Sequence, residues 1–165
     1  MSADTETGGT GALPEALLDA LNIAWWCGAP PSLRLPLAAA DALLAAGRTP
    51  RLVFDASAPY QLPEAEGPVY EAVLASGSWV LQVPSGETAD RFLLEAAKAG
   101  GGCIVSRDRF RDHRRGYKSI VRNPLRRLDG FVSEDRLRLP VLELDVALPP
   151  TAEAAWRQLQ VRLAG

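Results

Sequence analysis

The chain has 165 residues, close to half of them apolar, with 18 Lys and Arg against 20 Asp and Glu, one histidine and two cysteines. That length falls in the ordinary range for one domain with a buried core, while Cys27 and Cys103 are too few for a disulfide framework or a cysteine-based zinc site. Asp41 interrupts the best apolar run, which leaves no transmembrane candidate, so the expectation is a soluble cytoplasmic protein with no membrane partner.

In chain order, residues 1–12 are rich in Ser, Thr, Gly and acids and read as a disordered tail, not a signal peptide. Apolar runs that read as strands then alternate with longer helical segments, the pattern of parallel strands covered by helices. The expected strands are Ala16–Asp19, Arg51–Asp55, Ser78–Val83 and Cys103–Ser106; the expected helices are Leu33–Ala46, Pro68–Ala75, Thr88–Ala99 and Ala152–Leu163. The first strand runs against local preference, because Glu15–Trp26 is built of helix formers with few β-branched residues. Gly47 and Gly100–Gly102 are natural helix stops. Phe131-Val132, the polar turn Ser133–Asp135 and Leu137 with Leu139 suggest a small hairpin near the sheet edge, and Val141–Val146 suggests a further extended piece. The expected organisation is a tail (1–12), a domain (13–149) and a C-terminal helix (150–165) packing on that domain.

The charge is unevenly spread. Arg107–Arg127 holds nine of the eighteen Lys and Arg and only two acids, which reads as a local anion-binding face or, alternatively, a solvated cationic stretch. Against this stand acids at the ends of expected elements: Asp90 opens a helix, and Asp108 and Asp112 follow a strand. In open α/β sheets ligands bind in the crevice beyond the carboxyl ends of the strands, and carboxylates gathered there suit divalent-metal hydrolysis. Singly, each acid has a structural reading: Asp90 complements a helix dipole, and Asp108 and Asp112 fit a cap and an i, i+4 partner for Arg. Asp55 also ends an expected strand and could line the same crevice. His113 is the one histidine, which excludes a His-rich zinc site and suits an exposed loop residue.

Three blocks resemble the NYN branch of the PIN-like metal-dependent nucleases, the regnase-like ribonucleases in particular. Asp19-Ala20-Leu21-Asn22-Ile23-Ala24 resembles the family's Asp-Gly-x-Asn-Val-Ala, with the Asp ending the first strand and the Asn in the turn after it. Ala89-Asp90-Arg91-Phe92-Leu93-Leu94 resembles Asp-Asp-Arg-Phe-Ile-Leu at a helix start, and Ile104–Asp112 resembles Ile-Val-Ser-Asn-Asp-x-Phe-Arg-Asp. The similarity extends over roughly Leu17–Pro140. Two positions depart from it: Ala20 stands for Gly, and Ala89 for the first of two paired acids.

The resemblance implies a three-layer α/β PIN-like fold with a central, mostly parallel sheet flanked by helices. It implies endonucleolytic cleavage of single-stranded or looped RNA, with Asp19, Asp90, Asp108 and Asp112 binding Mg²⁺ or Mn²⁺ and Asn22 beside them. Ser106 would support the cluster, and Arg107, Arg111, Arg114, Arg115, Tyr117 and Lys118 would contact the RNA, joined by Arg122, Arg126 and Arg127 along the backbone. Trp25 and Trp26 adjoin the site and read as core anchors more than base contacts. A second copy or a protein partner would help to select the target. Two alternatives stay open: a noncatalytic PIN-like RNA-binding or protein-interaction module, and a metal-dependent phosphatase or DNA nuclease built on the same acids.

Overall fold

A computed structural model describes residues 14–113 and 115–165. The expected tail at 1–12 and one expected RNA contact, Arg114, lie outside the described residues. Strand β1 (Ala16–Asp19) runs directly into the short helix α1 (Ala20–Ala24), followed by α2 (Arg34–Ala45), β2 (Pro50–Phe54), α3 (Ala58–Gln61), α4 (Gly67–Leu74) and β3 (Val80–Gln82). The chain continues through α5 (Ala89–Gly100), β4 (Cys103–Val105), α6 (Lys118–Val121), β5 (Arg127–Leu128), β6 (Phe131–Ser133), β7 (Arg136–Leu139), β8 (Leu144–Ala147) and α7 (Ala152–Ala164). No helix among the described residues is long and apolar enough to cross a membrane.

Five strands form one sheet in the order β3-β2-β1-β4-β5, with every pairing parallel. β1 is central: Leu18 lies opposite Leu52 on one side and Val105 on the other. This explains how a segment of helix formers becomes a strand. Two parallel neighbours and burial of all four residues outweigh local propensity, and that propensity is released at once in α1, where the ladder ends. Asn22 therefore lies in a helix, not in the turn expected for it.

Side chains alternate between two cores because successive strand residues point to opposite faces. Leu18, Leu52, Phe54 and Val105 join one cluster with α1, α2, α4 and residues of α7, including Trp156 and Leu159. Leu17, Val53 and Ile104 join the other with Leu93, Leu94 and Ala97 of α5 and Ile120 and Val121 of α6. Helices thus cover both faces of a parallel sheet, as the sequence pattern implied. α5 begins at Thr88, whose side chain accepts from the Arg91 amide at 3.3 Å, and stops at Gly101 in the left-handed region. The next residue must also be glycine for a different reason: a Cβ on Gly102 would collide with the Glu15 carbonyl on the chain leading into β1.

The expected hairpin is present but is not at the edge of the main sheet. β6, β7 and β8 make a separate antiparallel sheet in that order, with Leu137 opposite Val132 and Val146. The expected extended piece at 141–146 is only half right, because Pro140–Leu142 form a 3-10 turn before β8 begins at Leu144. Leu137 and Leu139 turn inward toward Trp26, whose ring occupies the space that a Cβ on Gly130 would need. The small sheet thereby clamps the segment that leaves β1.

Candidate active site

The strand order places β1 beside β4 although β2 and β3 lie between them in sequence, so connections leave β1 in opposite directions. Such a switch point opens a crevice beyond the carboxyl ends of the strands. Asp19 is the last residue of β1, Asp55 directly follows β2, Ser106 and Asp108 follow β4, and Asp90 lies in the first turn of α5. Asp19, Asn22, Asp55, Asp90 and Asp108 line one cleft of about 270 Å³, with Trp25, Ser57 and Gln61 on its wall.

Each carboxylate but one is fixed by a named partner. Asp19 is buried, and its Oδ2 accepts from the Ser106 hydroxyl at 2.8 Å. The Ser106 oxygen in turn accepts the Asp108 amide at 3.0 Å, and Asp108 Oδ1 accepts the Phe110 amide at 2.8 Å. That last bond supports Phe110 at φ 51°, a left-handed conformation uncommon for a bulky residue. Asp55 accepts from the Ser57 amide and hydroxyl through Oδ2, at 3.0 and 2.7 Å, and from the Ala89 amide through Oδ1 at 3.3 Å. Asp90 instead has His113 Nε2 at 4.0 Å. Asn22 Oδ1 accepts both the Trp26 indole N–H and the Arg107 amide at 3.0 Å, tying α1 to the β4 loop.

Burial pushes the Asp19 carboxyl up to about 7; the Ser106 hydrogen bond opposes this, and the charges of Asp90, Asp108 and Asp55 add to it. Burial also raises Asp90, reinforced by Asp108 and opposed by His113. Asp55 moves the other way: its modest burial is outweighed by the Ser57 and Ala89 hydrogen bonds, which hold it below the usual carboxylate range. The cleft therefore concentrates negative charge that has no cationic side chain at its centre, the environment a hard cation would relieve. The donors are all oxygen, as Mg²⁺ and Mn²⁺ require. No three His, Cys, Asp or Glu side chains among the described residues are grouped closely enough to enclose a metal ion as they stand. The residues fit a cation that keeps most of its water and takes one or two carboxylates directly, the usual habit of Mg²⁺.

The other expected site residues fall outside this cleft. Asp112 is exposed in a 3-10 turn and shares an adjoining pocket with Asp90, Arg107, Asp108, Arg109 and Arg111. Arg115 and Tyr117 line a further pocket with Asp112 and His113. The Tyr117 ring is engaged by the Lys98 ammonium, 5.5 Å from its centroid, and its hydroxyl donates to Glu95. Lys118 is exposed at the start of α6. Arg126 and Arg127, expected along the RNA backbone, are engaged by the protein itself: Arg126 donates to the Gly102 and Ala97 carbonyls, and Arg127 to the Ser106 carbonyl and Asp129. Asp55, which has no counterpart in the matching blocks, is in the cleft. The two tryptophans separate, Trp26 being buried and Trp25 41% exposed.

A parallel 3-2-1-4-5 sheet layered between helices, with carboxylates over its switch point, defines a PIN-like α/β domain. Residues 17–140 match the family described as the Zc3h12a-like ribonuclease NYN domain, and the chain belongs to that family. No curated protein matches the sequence. The solved structures that share the fold include two of one plant protein. Nuclear proteinaceous RNase P 2 (PRORP2) from A. thaliana has a TM-score of 0.56 at 16% identity, over 92% of this chain and 33% of that one. A second structure, Arabidopsis thaliana nuclear protein-only RNase P 2 (PRORP2), has a TM-score of 0.58 at 15% identity, over 90% and 32%. The chain thus spans about a third of the length of the structures it resembles.

Proposed function

We propose that this domain is a divalent-metal-dependent endoribonuclease that hydrolyses phosphodiester bonds of single-stranded or looped RNA in the acidic cleft. The observation that carries this reading is the convergence of Asp19, Asp55, Asp90 and Asp108 on one cleft at the switch point, in a chain of a ribonuclease family. When bound, Mg²⁺ or Mn²⁺ lowers the pKa of a coordinated water and neutralises charge developing on phosphate oxygens. Asp19, Asp90 and Asp108 are the residues that would hold it, with Asp112 at the margin.

The chain's own residues supply the rest. Ser106 fixes the Asp19 carboxylate and the Asp108 backbone with one hydroxyl. Asn22, its carbonyl oxygen already occupied twice, keeps its two amide N–H donors for a phosphate oxygen. Arg107, Arg109 and Arg111 border the acidic residues in the adjoining pocket and provide cations for neighbouring phosphates. Attack of water on phosphorus breaks the P–O3′ bond, and the leaving oxygen takes a proton, giving a 5′-phosphate and a 3′-hydroxyl.

The test is cleavage of a labelled unstructured RNA with Mg²⁺ or Mn²⁺, with EDTA, and with Asp108→Asn, beside a matched DNA strand. Cleavage of RNA that disappears with EDTA and with the variant is expected. A second reading, a noncatalytic RNA-binding module, is favoured by Ala89 in place of an acid and by the open spacing of the carboxylates. It predicts salt-sensitive RNA binding with the strand left intact under every metal.

A further inference from the structure

We infer that Trp25 is a stacking platform for one unpaired nucleobase of the strand entering the acidic cleft. The inference rests on the reading of that cleft as an RNA site and assigns the part of the substrate that carboxylates cannot hold. Trp25 is the one aromatic among the described residues lining the cleft, and it is 41% exposed whereas its neighbour Trp26 is buried.

A single exposed aromatic is unremarkable by itself, but this indole is anchored by its polar edge. Its Nε1–H donates to Gln61 Oε1 at 3.1 Å, Gln61 Nε2 donates to Ser57 Oγ at 2.9 Å, and Ser57 Oγ donates to Asp55 Oδ2 at 2.7 Å. The other oxygen of Asp55 accepts the Ala89 amide, at the start of the helix that carries Asp90. The backbone is held as well, since the Trp25 amide donates to the Asn22 carbonyl and the Trp25 carbonyl accepts from Gly28. A relay of side chains therefore sets the indole relative to the carboxylates. An aromatic ordered in advance loses little conformational entropy when a ligand lies on it.

The electrostatics select the ligand. An acidic cleft repels phosphates, so affinity for a strand has to come from outside the carboxylates, and a neutral base is the part of a nucleotide that the wall can accept. Tyr60, beside Gln61 and 88% exposed, is not among the residues lining the cleft, and two further rings already carry cations, with Arg51 5.5 Å from the centroid of Phe92 and Lys98 the same distance from Tyr117. A paired base has both faces occupied within its duplex, so the indole takes only an unpaired one.

The test measures binding in EDTA, where no cleavage occurs, of three labelled probes of roughly ten nucleotides: an unpaired RNA, an abasic sugar-phosphate strand and a duplex. Trp25→Ala is expected to raise the Kd for unpaired RNA about tenfold, leaving the abasic strand unchanged, and Trp25→Phe to keep most of the affinity. Gln61→Leu is expected to weaken the wild type by a smaller factor and to add nothing to Trp25→Phe, which has no N–H to anchor. Thermal unfolding checks that each variant is folded. Equal affinity of wild type and Trp25→Ala for unpaired RNA, or an equal loss on the abasic strand, overturns the inference. Binding that follows this pattern without metal-dependent cleavage sinks the nuclease reading and leaves the stacking site standing.

Discussion

The acidic cleft and the basic stretch that follows it, Arg107–Arg127, differ in how their charge is held. In the cleft, like charges are forced together: Asp19 is buried, and Ser106, the Asp55 relay and backbone amides keep the carboxylates in place. In the basic stretch, Arg126 and Arg127 spend their guanidinium groups on carbonyls of the protein itself, while Arg107, Arg109, Arg111 and Arg115 remain exposed. Net charge over a window thus overstates its capacity for anions, because it counts arginines that are part of the fold. The cleft concentrates repulsion that a proton or a bound cation relieves, the pattern of a site that gives up stability for function.

The largest expected effect is on the cleft. Asp19→Asn keeps the shape and an oxygen for Ser106 but removes the buried charge, and RNA cleavage with Mg²⁺ is expected to fall on the order of 10²-fold or more, read as kcat. Retention of wild-type kcat would break the contrast, since the buried carboxylate would then be structural.

The same substitution is expected to raise stability in metal-free buffer at neutral pH. Asp19 binds its proton more tightly folded, with its carboxyl pushed up to about 7, than at the ordinary carboxylate value of 3.8, so it adds protons to the native state and stability falls as pH rises between those values. Asp90 acts in the same direction and Asp55 in the opposite one, so the informative quantity is the difference between wild type and Asp19→Asn. Denaturant midpoints should coincide near pH 4 and separate in favour of the variant by up to a few kcal/mol toward pH 7.5. Added Mg²⁺ should close part of the gap. A pH-independent difference would mean that the buried charge is already relieved.

Much of this was readable from residue types. Strand and helix alternation pointed to the parallel sheet, and the acids expected at the ends of β1 and β4 line one cleft. Three features were not legible, each for a physical reason. Asp55 was read as a residue that could line the crevice, but its bond to the Ala89 amide, 34 positions away, is one that no local pattern in Leu52-Val53-Phe54-Asp55 reveals. Trp25 and Trp26 are adjacent and chemically identical; only Gly130 and the separate sheet, which accommodate the second ring, distinguish them. Arg126 and Arg127 look like their neighbours in sequence, but their partners include the Gly102 and Ser106 carbonyls, more than twenty positions away.

Alanine substitutions sharpen that last distinction. Arg126→Ala leaves the Gly102 and Ala97 carbonyls without their charged donor and should cost about 1–3 kcal/mol in unfolding experiments. Arg109→Ala and Arg111→Ala, both at exposed positions, should stay within about 0.5 kcal/mol of wild type. Their effect should appear instead in RNA binding, each lowering the slope of log K against log salt by about 0.7. If Arg126→Ala changed the salt slope and Arg109→Ala changed stability, the assignment of the two sets would be reversed.

The smallest effect concerns the helix that carries Asp90. Its first turn is held twice, by the Thr88 side chain on the Arg91 amide and by Asp55 on the Ala89 amide. Thr88→Ala removes a capping oxygen and should cost about 1 kcal/mol, with little change in cleavage, because Asp55 still fixes the residue next to Asp90. Combining Thr88→Ala with Asp55→Ala should destabilise by more than the sum of the single variants, since each anchor limits the fraying that the other's loss permits. Strict additivity would show that the two bonds act independently, and the Asp55 carboxylate would then matter to the cleft for its charge and the Trp25 relay alone.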